Sequence, residues 1–117
     1  MPTTQRELLG VLLGCAAGAS ASFTEALDAA ERATGHADAR TLTRELLSDL
    51  AIRDWIELCR CRSDGSEAPI PRLHYELELA AQRNWDERSG EARVRYALTE
   101  KGRGQLAAMP SAHQRPG

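Results

Sequence analysis

A chain of 117 residues has room for one domain, and at this size folding buries roughly two-thirds of the unfolded surface, so a packed core needs no staple. Hydrophobic residues are 42% of the chain and charged residues 27%, an ordinary globular balance, but aromatics are only 4%, which leaves the core to Leu, Ala, Ile and Val. A formal net charge of −2 excludes a global attraction to nucleic acid, so any contact with DNA must rest on a local basic face.

The spacing predicts a first helix over residues 4–17. Thr4 and Glu7 stand at capping-box distance, and Leu8, Leu9, Leu12, Leu13 and Ala16 recur on one side. Gly10, Gly14 and Gly18 lie on the other side, where they would let a second helix approach or would simply be tolerated. Ser22 and Glu25 repeat the capping-box spacing ahead of "FTEALDAAERAT", a second helix with Phe23, Ala26, Leu27 and Ala30 apolar and Gly35 as its stop. "ARTLTRELLSDLAI" is a third helix, with Leu42, Leu46, Leu47 and Leu50 buried. Asp54 stands where the chain must turn sharply, and Asp tolerates the left-handed conformation. "WIELCRC" alternates as a strand, with Ile56 and Leu58 on one side and Trp55, Glu57, Cys59 and Cys61 on the other.

"SDGS" is a turn signal. Residues 67–90 alternate as a strand would as far as Leu79, and also carry a helical stripe through Leu73, Leu77, Ala80, Ala81 and Asn84. Ala81, Gln82 and Arg83, with Pro71 at the start, select a short helix. "SGE" turns the chain into "ARVRYALT", a strand with Val94, Tyr96 and Leu98 facing in and Arg93 and Arg95 facing out. Thr99 caps a last helix to about Met109, and residues 110–117 read as a disordered tail.

This order describes an α+β, mostly helical chain and resembles a winged helix-turn-helix domain: a three-helix core, a two-stranded wing and a C-terminal helix within residues 1–109. "LAIRDWIEL" is similar to the end of a recognition helix entering the first wing strand, with Asp54 where that family usually has Gly. "YALTEKGRGQL" resembles the second wing strand and final helix of MarR-like and PadR-like bacterial regulators, matching Tyr-x-Leu-Thr-x-x-Gly-Arg at Tyr96, Leu98, Thr99, Gly102 and Arg103. About thirty residues separate the two wing strands, so residues 63–91 form an insert in the wing.

The resemblance implies a DNA-binding transcriptional regulator that acts as a homodimer on double-stranded DNA, with the third helix in the major groove. Arg40, Thr41, Arg44 and Ser48 would face the bases and phosphates, and Arg93 and Arg95 would neutralise the backbone from the wing. The alternative is a winged-helix protein-interaction module whose insert meets a protein partner. A basic surface around those arginines would favour DNA; an acidic third helix with an apolar insert would favour protein.

Other chemistry is weaker. "ELCRC" resembles the Cys-x-Cys metal site of ArsR-type sensors, but it falls on a strand; with Cys15 or His74 the only third ligands in view, Cys59 and Cys61 read as structural, with no metal or cofactor. His36 and His113 have no partner in sequence. The pairs Glu76/Glu78 and Asp86/Glu87 read as surface charge, and no phosphate loop or nucleophile motif points to an enzyme. Three cysteines, an odd number, argue against a disulfide framework and make a reducing cytoplasm the expected compartment. No apolar run nears the ~20 residues of a membrane span, and "RELLGVLLG" lacks signal-peptide order.

Overall fold

The computed structural model describes residues 5–35, 39–62, 64–86 and 93–109. Leucine periodicity builds α1 (Gln5–Cys15), whose Leu8, Leu9, Leu12 and Leu13, with the following Ala16, are buried. The helix stops two residues earlier than its pattern suggests, and Thr4 lies outside the described residues. Helix α2 (Phe23–Thr34) begins as expected: the Ser22 hydroxyl accepts from the Glu25 N–H at 3.1 Å. It ends on Gly35 at φ 74°, a left-handed conformation that glycine adopts without steric cost, with the Gly35 N–H donating to Glu31 O at 2.8 Å.

Helix α3 (Arg40–Ile52) departs from its reading at one turn. Leu42 is 36% exposed, and Thr43 is fully buried in its place. The buried stripe runs Ala39, Thr43, Leu46, Leu47, Leu50 and Ala51. Thr43 can sit there because its hydroxyl donates to Ala39 O four residues back, at 2.8 Å, and so carries no unsatisfied donor into the core. Asp54 follows at φ 63° and reverses the chain, while the Trp55 N–H returns to Leu50 O at 2.9 Å.

The two expected strands, β2 (Ile56–Cys61) and β4 (Val94–Leu98), pair antiparallel with Ile56 opposite Leu98 and Leu58 opposite Tyr96. They belong to a four-stranded antiparallel sheet in which β4 lies between β2 and β1 (Ser20–Ser22), and β2 between β4 and β3 (Glu67–Pro69). Strand β1 (Ser20–Ser22) has no sequence signal, because three residues of Ser and Ala carry neither alternation nor β-branching; it exists by pairing with β4. Ile56, Leu58, Val94, Tyr96 and Leu98 join the helical leucines in one core, and the Tyr96 hydroxyl donates to Leu12 O at 2.6 Å.

The insert is structured throughout its described part. A turn held by Asp64, which accepts from the Ser66 N–H at 2.9 Å, returns the chain as β3 (Glu67–Pro69) beside β2. A 3₁₀ turn (Arg72–His74) leads into α4 (Tyr75–Ala80), and α5 (Arg83–Asp86) follows after Ala81 breaks the helix with extended backbone. One short helix on a stripe of Leu73, Leu77, Ala80, Ala81 and Asn84 is therefore corrected to a strand and two helical pieces. Leu73 and Leu77 are 82% and 71% exposed, and Tyr75, Glu78, Leu79, Asn84 and Trp85 are buried instead.

Tertiary contacts select this face. Tyr75 takes the Leu58 N–H on its phenolic oxygen at 3.3 Å, Trp85 packs at a tilt of 40° against Phe23 with centroids 5.1 Å apart, and the Trp85 indole N–H donates to Leu79 O at 2.7 Å. Glu78 is corrected from surface charge to a carboxylate only 7% exposed, bonded to Arg60 and to Asn84 Nδ2 at 3.1 Å.

Helix α6 (Glu100–Ala108) starts with no connecting loop. Thr99 accepts the Gly102 N–H at 3.0 Å and donates its own hydrogen to Asp54 O at 2.6 Å, while its N–H reaches Trp55 O at 3.0 Å. A Cβ on Gly102 would lie 1.9 Å from Trp55 O, so only glycine permits this approach. Gly14 and Gly18 face open space, whereas Gly10 lies against Met109 beyond the end of α6.

Candidate binding face on the third helix

The exposed side of α3 does not stand alone. Helix α4 lies beside it, and between them opens a cleft of about 370 Å³ lined by Arg44, Glu45, Ser48, Glu76 and Ala80. Ser48 donates to Glu76 Oε1 at 2.7 Å and joins the two walls. The packing follows from Tyr75, Glu78 and Leu79 turning inward, since residues one turn apart on α4 then turn Glu76 and Ala80 toward α3. The large apolar side chains exposed among the described residues are Leu42, Ile52, Leu73 and Leu77, and all four lie on α3, α4 or the 3₁₀ turn that precedes α4.

The six residues expected to touch DNA divide into two groups. Thr41 and Arg44 are exposed on α3, and Arg93 is exposed just before β4. Arg40, Ser48 and Arg95 are less exposed. Arg40 is half-buried, with its guanidinium 5.7 Å from the Trp85 ring centroid. Ser48 is bonded to Glu76. Arg95 donates to Ser20 Oγ at 2.8 Å and Ser20 O at 2.9 Å, and its guanidinium is 3.6 Å from Glu25. It ties β1 to β4 and to the first turn of α2. Arg44 and Ser48 meet in one cleft, which Arg93 and Arg95 do not line; the Arg93 carbonyl accepts from the Cys61 N–H, and Arg95 binds Ser20 and Glu25.

Charge around the face is mixed. Arg53 is paired with Asp49 at 2.9 Å and stacks over Trp55, and Arg72 is paired with Asp54. Among the described residues Arg44 has no ion pair, and Glu45 and Glu76 stand beside it in the cleft. On the far side of α4, burial alone would push the Glu78 carboxyl up, but the Asn84 amide and the Arg60 and Arg83 guanidinium groups outweigh it and hold the carboxyl below its ordinary range.

The cysteines form no comparable site. Burial, then the Glu67 carboxylate, pushes the Cys59 thiol up to about 12, so no thiolate forms near neutral pH. Its sulfur lies 3.6 Å from both Glu67 Oε2 and Arg95 O. Cys61 is raised by burial and by Glu67, and Cys15 by burial on α1. Among the described residues no group of three or more His, Cys, Asp or Glu could hold a metal ion, and no helix is long and apolar enough to cross a membrane. His36, Asp38, Glu87, the turn at 89–91, His113 and the tail 110–117 lie outside the described residues.

Sequence reasoning missed Glu76, Ile52, Leu73 and Leu77 as members of this face. Only the docking of α4 on α3 joins them, across 28 residues between Ser48 and Glu76, and no local pattern encodes that. Comparisons of the chain with family models, with curated proteins and with solved structures each gave no match. The functional reading therefore rests on the chain's own residues.

Proposed function

We propose that this chain is a winged-helix domain without catalytic chemistry, and that it serves as a protein-interaction module through the α3–α4 face. Support for the winged-helix reading comes from three helices followed by the adjacent strands β2 and β4, and from the Thr99–Gly102 joint into a last helix. The insert, which replaces a simple wing loop, supplies the second wall of the binding face.

The observation that carries the protein reading is the position of exposed Ile52, Leu73 and Leu77 on the elements around a cleft that holds two carboxylates. Double-stranded DNA presents one negative charge per ~1.7 Å of axis, and Glu45 and Glu76 beside Arg44 oppose it. A protein surface can use both the apolar side chains and the carboxylates.

A second reading, the DNA-binding transcriptional regulator, is favoured by one observation: Thr41 and Arg44 remain exposed on α3, and Arg44 has no ion pair among the described residues. Arg93 would then reach a backbone phosphate from the wing. Selection from a random duplex pool at low salt separates the two readings. The protein reading expects no sequence to be enriched. Enrichment of a site whose affinity falls by ~1–3 kcal/mol in Arg44→Ala would transfer the function to DNA.

A further inference from the structure

We draw no further inference here: the strongest candidate, the exposed apolar patch of Ile52, Leu73 and Leu77 on the elements that wall the α3–α4 cleft, belongs to the site already described, and nothing in the structure shows what covers it.

Discussion

In the joint between β4 and α6, side chains are tied to backbone that arrives from elsewhere in the fold. Tyr96 reaches Leu12, Thr99 reaches Asp54, and Gly102 rests on the Trp55 carbonyl. Across the insert from β3 to α5 only one side is tied down. Tyr75, Glu78 and Trp85 bind the body of the protein, while Leu73 and Leu77 stand in solvent. The first region exposes polar and small side chains but no large apolar one. The second is folded as firmly on its inner side and leaves an apolar outer side unpartnered. On the proposed function, the difference sets residues that hold the fold apart from residues offered to a partner.

Substitutions can break or sharpen that contrast. The largest effect should come from the core that both regions share: Leu46→Ala, at a site only 2% exposed, should cost ~2–5 kcal/mol and lower the thermal midpoint of the whole domain. A melt unchanged by it would mean that α3 is misplaced. Gly102→Ala comes next, because the new Cβ would meet Trp55 O and force α6 away from the turn at Asp54; the expected cost is ~1–3 kcal/mol, read in denaturant midpoints. Thr99→Ala removes the helix cap and one bond to Asp54 O and should cost ~0.5–2 kcal/mol, with the core packing retained.

Acid should discriminate the two regions further. Glu78 is held below its ordinary range in the folded chain, so its contribution is complete above the unfolded value of 4.5 and is lost as pH falls through the lower folded value. Amides of α4 and α5 should therefore lose exchange protection at a higher pH than those of α6, and Glu78→Gln should flatten that acid response. If the insert and α6 open together in acid, the insert is no separate unit. The smallest change is expected at Leu73→Glu, which should leave stability within ~0.5 kcal/mol, since the side chain is already in water. A marked loss there would show that Leu73 belongs to the core.

The sequence by itself determined whatever is encoded within a turn or two of chain. The periodic leucines of α1, the Ser22 and Thr99 caps, the Gly35 stop, the Asp54 reversal and the alternation of β4 each depend on neighbours close in sequence, and each stands where its spacing places it. Tertiary structure decided the rest. Ser20–Ser22 becomes a strand only because β4 offers it an edge. Thr43 rather than Leu42 faces the core because of how α3 packs on its neighbours; the hydroxyl's bond to Ala39 O only makes that burial tolerable. The helical stripe of the insert points to solvent because Phe23 and the Leu58 N–H, far away in sequence, recruit Trp85 and Tyr75 to the opposite side. The candidate face has the same origin: Arg44 and Ser48 were visible on α3, but Glu76 and the exposed leucines joined them only when α4 docked. A local pattern can state which residues could be buried together; which of them are buried is settled by the partners that long-range packing supplies.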